Sequence, residues 1–129
     1  AKGEVHSEPL PVIEANKTQM VQLLQNLISN SLKYRKENVL PVINISSALE
    51  DEGFINIVLQ DNGVGIKDEY ADLVFQPFER LNPQIPGTGM GLAICRKVVV
   101  GHGGAIKVKN LPDGGGSVFI IKLQERHSQ

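Results

Sequence analysis

Two β-rich runs, PVINISSALE (41–50) and FINIVLQD (54–61), stand either side of the acidic turn Glu50-Asp51-Glu52-Gly53, which is the spacing of a β-hairpin. A second pair, AIKVKN (105–110) and SVFIIKLQ (117–124), alternates around Pro112-Asp113-Gly114-Gly115-Gly116 and reads as another. Before the first hairpin, Met20, Leu23, Leu24, Leu27, Ile28 and Leu32 recur at three- and four-residue steps. That spacing predicts a helix from an Asn16 N-cap, with Gln19 completing a capping box, to about Glu37. LPVIEA (10–15) suits a short strand, and a second helix is expected from about Thr88 to His102. Residues 63–87 are loop-rich, with a short helix near 68–75. The order predicts an α+β fold, with helices packed on one face of a mixed, mostly antiparallel sheet.

The chain has 129 residues, enough for one domain with one core. Its formal net charge of −1 provides no electrostatic footprint for nucleic acid. The single cysteine, Cys95, excludes an internal disulfide framework, fits a reducing compartment, and is expected to be a small buried residue of the second helix. No apolar run approaches the roughly 18 residues that a membrane span needs. The polar ends, AKGEVHSEP and QERHSQ, lead us to expect a domain cut from a longer protein whose other parts include membrane segments or further catalytic units.

Four stretches are candidates for chemistry. On the first helix, QLLQNLISNSLKY (22–34), Asn26, Asn30 and Lys33 share a narrow sector away from the leucines. Amide oxygens suit a hard cation and a lysine suits phosphate, although a solvated helix face collects the same residues. DNGVGI (61–66) ends a strand with a carboxylate and two glycines: either a turn, or an edge where Asp61 accepts hydrogen bonds from an amine and Gly63 and Gly65 admit a flat ligand. PGTGMGLAICRKVV (86–99) brings Gly87, Gly89 and Gly91 to a helix start whose free N–H groups can cradle phosphate. In FQPFERL (75–81), Phe75 and Phe78 are expected to pack on the core, while Arg80 is a solvated charge or a phosphate contact. His6, His102 and His127 have no metal-ligand partners at useful spacing, and His102 before Gly103-Gly104 is expected at a helix C-terminus.

Together these stretches resemble the ATP-binding catalytic domain of sensor histidine kinases, the Bergerat type shared with gyrase, Hsp90 and MutL. NLISNSLKY is similar to the family's N box, DNGVGI to its G1 box, FQPFERL to its F box and GTGMGLAICRKVV to its G2 box, in the same order, over about Leu10 to Leu123. The resemblance implies a two-layer α/β sandwich over 1–129 with a lid at about 67–86. ATP would lie between the N-box helix and the lid, with Asn30 on Mg²⁺, Asn26 supporting it, Lys33 on phosphate and Tyr34 against the adenine or ribose. Asp61 would accept the adenine amino hydrogen bond beside Gly63 and Gly65. Gly87, Thr88, Gly89, Met90 and Gly91 would face the phosphates, with Leu92 packed near the nucleotide and Arg80 as a lid contact.

The implied function is transfer of the ATP γ-phosphoryl group to a histidine on a separate dimerisation domain, then to a response-regulator receiver domain, in a cytoplasmic part of a parent that is membrane-anchored in many such proteins. None of the three histidines sits in a dimerisation helix, so none is assigned as acceptor. Ser31 stands where alanine is common, the lid is short, and Gly101 replaces a more usual charged residue. Rival readings are another Bergerat ATPase, a protein-serine kinase of the anti-sigma type, and a degenerate domain that binds partners without catalysis.

Overall fold

The computed structural model describes residues 3–7, 17–50, 53–78 and 90–124. Five strands, β1 (Glu4–Ser7), β2 (Val42–Glu50), β3 (Phe54–Asp61), β4 (Ala105–Asn110) and β5 (Ser117–Gln124), form one sheet in the order β1-β2-β3-β5-β4. Two helices, α1 (Lys17–Lys33) and α2 (Gly91–Gly101), pack together over it. Both expected hairpins are present: β2 and β3 pair antiparallel from Ile43↔Asp61 to Glu50↔Phe54, and β4 and β5 from Ala105↔Lys122 to Asn110↔Ser117. The central β3–β5 pair is antiparallel as well. The sheet is mixed because β1 runs parallel to β2, and α1 lies in the crossover between them.

Strand β1 was not expected. Its sequence, EVHS, has all four residues exposed, so no inward alternation marks it; backbone bonds hold it at the edge, including Glu4 N–H to Pro41 O at 2.8 Å. The strand expected at 10–15 and the Asn16 cap lie outside the described residues. Along β3 and β5 every second residue is buried, as a pleated strand with one core-facing side requires. Ile55, Ile57 and Leu59 of β3 and Phe119, Ile121 and Leu123 of β5 meet Leu23 and Leu27 of α1 and Cys95, Val98 and Val99 of α2 in one core.

Helix α1 stops at Lys33 rather than near Glu37. The Tyr34 N–H makes a last helical bond to Asn30 O at 3.2 Å, while the Tyr34 carbonyl turns away to accept from Val64 N–H at 2.9 Å. Arg35 then donates through Nη1 to Leu32 O at 2.6 Å, satisfying a carbonyl that the helix end leaves open. At the end of α2, Gly103 takes φ +74° and its N–H bonds Val100 O at 3.0 Å, a glycine-closed terminus. His102 has the expected place there: buried, with Nδ1 2.8 Å from Val98 O, so that nitrogen carries the proton because a carbonyl only accepts.

Residues 68–75 form two 3₁₀ turns, Asp68–Tyr70 and Leu73–Phe75. Phe75 is buried and meets Phe119 edge to face, with ring centroids 6.3 Å apart. Phe78 corrects the expectation of two packed phenylalanines: it is 73% exposed, with φ +65°. Asp68–Tyr70 and Leu73–Phe75 are too short to carry a helical face that would aim both rings at the core.

Candidate nucleotide site

Asp61 ends β3 in phase with Ile55, Ile57 and Leu59, so the pleat directs its carboxyl group to the core face, where it is 6% exposed. Such a group must be hydrogen-bonded. Oδ1 accepts from Gly63 N–H at 2.9 Å and Ser117 N–H at 3.3 Å. Oδ2 accepts from Ser31 Oγ at 2.7 Å and Ser117 Oγ at 3.0 Å. Among the described residues no buried side-chain nitrogen or oxygen lacks a hydrogen-bond partner.

The two serines were not singled out as ligands of Asp61, yet a positional signal marks both. Ser31 follows Leu23 and Leu27 at four-residue steps in the buried stripe of α1, and Ser117 precedes Phe119, Ile121 and Leu123 on the inward parity of β5. A hydroxyl at a core position needs a buried acceptor. Asn62, beside Asp61, ties β2 in place: its Oδ1 accepts from Val42 N–H at 2.8 Å and its Nδ2 donates to Leu40 O at 3.0 Å.

The glycines after Asp61 sit where the chain crowds itself. A Cβ on Gly63 would come within 2.6 Å of the Tyr34 carbonyl oxygen, and Gly65, at φ +82°, lies against Asn110 and Gly116. The end of α1, the loop after β3 and the start of β5 thus converge around the Asp61 carboxyl. The Ser31 contact places Asn30 one residue from it along α1. Asn26 and Asn30 are half-buried, Tyr34 is half-buried just past the helix, and Lys33 is exposed. Lys33 also borders an open hollow lined in part by Arg35 and Lys36, a cationic surface.

Across the core, Met90 accepts at its carbonyl from Ile94 N–H at 2.9 Å and so opens α2, followed by Gly91 and Leu92. Among the described residues a Cβ on Gly91 would meet nothing within 4 Å. Arg80, Gly87, Thr88 and Gly89 lie outside the described residues, as does most of the later part of the expected lid. Among the described residues no group of three or more His, Cys, Asp or Glu side chains is placed to hold a metal ion. Nor does any described helix have the length and apolarity to cross a membrane.

An amide-bearing helix face thus borders a buried strand-end carboxyl, with the glycine-opened start of α2 across the core. Residues 15–127 match the family model described as histidine kinase-, DNA gyrase B-, and HSP90-like ATPase. The chain belongs to this family. Membership makes it an ATP-binding domain, on the mixed sheet with helices on one face described above. Cyanobacterial phytochrome A of Nostoc sp. is 41% identical over 131 residues, covering 98% of this chain and 17% of that protein. The mycobacterial sensor histidine kinase MprB superposes with a TM-score of 0.79 at 28% identity, covering 98% of this chain and 83% of the other. Full-length ShkA, solved in complex with AMPPNP, gives a TM-score of 0.79 at 25% identity, covering 93% of this chain and 25% of the other. The chain spans less than a fifth of the length of cyanobacterial phytochrome A and of the phytochrome-like protein Cph1 of Synechocystis sp..

Proposed function

We propose that this chain is the catalytic domain of a two-component sensor histidine kinase, passing the ATP γ-phosphoryl group to a histidine on a separate dimerisation domain and onward to a response-regulator receiver domain. The observation that carries the reading is the buried Asp61 carboxyl, fixed by donors from α1, β5 and its own loop. A fixed, acceptor-only group on the core face suits the exocyclic amine of adenine, and Gly63 and Gly65 let the loop beside it pack closely on Tyr34 and Asn110. The structure of ShkA with AMPPNP supports a nucleotide as ligand.

In this reading Tyr34 lies against the adenine or ribose and Leu92 packs beside it. Lys33 contacts phosphate, and Gly87, Thr88, Gly89, Met90 and Gly91 face the phosphate oxygens, as residues leading into a helix N-terminus can. Arg80 closes from the lid over about 67–86. A Mg²⁺ ion fits the donor set: Asn30 offers an amide oxygen with Asn26 beside it, and a site of so few protein ligands is one that phosphate oxygens and water complete. When bound, Mg²⁺ would neutralise developing charge on the transferring group. The chain's own part is positioning and charge neutralisation, in a cytoplasmic domain of a longer parent.

Titration with ATP, with and without Mg²⁺, tests this. Wild type should bind, Asp61→Ala should lose binding in both conditions, and Asn30→Ala should lose mainly the Mg²⁺-dependent part. Absence of wild-type binding would sink the proposal. The chain alone should show little turnover, and efficient autophosphorylation on one of its own histidines would contradict the need for a separate acceptor domain.

A further inference from the structure

An ionised carboxylate offers about four in-plane lone-pair positions. On Asp61 all four are taken by the chain itself: two by the Gly63 and Ser117 amides on Oδ1, two by the Ser31 and Ser117 hydroxyls on Oδ2. A ligand amine therefore cannot simply add to Asp61; one donor has to leave. The amides are fixed by the backbone, and the Ser117 hydroxyl sits on the same residue as one of them. Ser31 has another place to go. It lies inside α1, and a helical serine hydroxyl can turn to the carbonyl four residues back, here Leu27, so leaving Asp61 does not strand it.

We propose that Ser31 is a positioning residue that sets amine selectivity by exchange: its hydroxyl occupies the Asp61 acceptor site in the free protein and yields it to the ligand's exocyclic amine. The inference rests on the nucleotide reading and adds a determinant on α1 to the one on β3. The exchange replaces a short hydroxyl–carboxylate bond with an amine–carboxylate bond, so wild type realises only part of what the amine offers. Removing the hydroxyl leaves the acceptor open for the ligand. Ser31→Ala should then bind amine-bearing purines more tightly and leave purines without the amine unaffected. Alanine is the best helix former and removes only a hydroxyl, so α1 should persist.

The experiment is calorimetric titration of wild type, Ser31→Ala and Ser31→Cys with ADP and with the diphosphate of unsubstituted purine riboside, which lacks the amine. Ser31→Ala should raise ADP affinity about tenfold, the scale of one hydrogen bond to a charged group, and leave the second ligand within about twofold. Ser31→Cys, with its weaker donor, should fall between and still reports if the alanine variant fails to fold. An ADP preference unchanged or reduced in the variants overturns the exchange, because Ser31 then stays engaged or acts only structurally. Wild type that binds neither ligand overturns the nucleotide reading and the exchange with it.

Discussion

At Asp61 a carboxyl group occupies a position that the pleat of β3 gives to Ile55, Ile57 and Leu59 further along, and four protein donors make it tolerable there. Asp61→Asn exchanges one acceptor oxygen for an NH₂ and reverses the polarity facing the two serines. It should cost about 1.5–3 kcal/mol by urea denaturation, the scale of hydrogen bonding to a charged group, and weaken ATP by more than tenfold in the same titration that wild type passes. Cys95 shows the opposite use of burial. With its side chain in the core and Sγ 3.7 Å from Leu23 O, burial pushes the thiol up from 9.0 to about 12. A raised folded value means stability is full below about pH 9 and falls as pH climbs toward 12, because the unfolded thiol ionises first. Urea midpoints between pH 8 and 10.5 should therefore decline faster for wild type than for Cys95→Ala, and a thiol reagent should label Cys95 only as fast as the chain opens.

The elements divide by how much of their sequence signal is local. Both hairpins are legible because alternation and turn residues lie within twenty positions of one another, and α1 is legible because six apolar residues repeat at helical steps. The end of α1 is not, since Tyr34 leaves the helix to pair with Val64, a partner thirty residues away in sequence. FQPFERL shows the same limit inside one short stretch. Its two phenylalanines look equivalent in sequence, yet Phe75 packs on Phe119 while Phe78 faces solvent at positive φ. Phe75→Ala should cost about 3–5 kcal/mol, in the range of large-to-small core changes, and Phe78→Ala should stay within about 0.5 kcal/mol, as exposed substitutions do. Chemical denaturation of the two variants side by side checks the difference.

For the whole molecule, the sheet order β1-β2-β3-β5-β4 places β3 at its centre and so sets the end of β3 between α1 and β5. The edge strand β1 contributes backbone pairing without burying its own side chains. Removing residues 1–7 should leave a folded domain that is about 1–3 kcal/mol less stable, a few net backbone hydrogen bonds. It should also self-associate more, because β2 becomes an open edge beside Ile43 and Ile45. Urea denaturation together with light scattering at rising concentration measures both effects.

The sequence by itself determined the class of fold, the two hairpins, the two helices and the four stretches that carry the family resemblance, because each rests on spacing within one element. Asn26, Asn30 and Lys33 were legible as one face of α1 for the same reason. Tertiary structure alone decided what surrounds Asp61. Ser31 lies 30 residues before it and Ser117 lies 56 after it. A lone serine in a helix stripe or at a strand start names no partner until the helix is laid across the sheet. Packing also decided which phenylalanine of FQPFERL is core and that an all-exposed EVHS is a strand. These outcomes depend on contacts between elements, and local periodicity fixes which side an element buries but not what it will meet there.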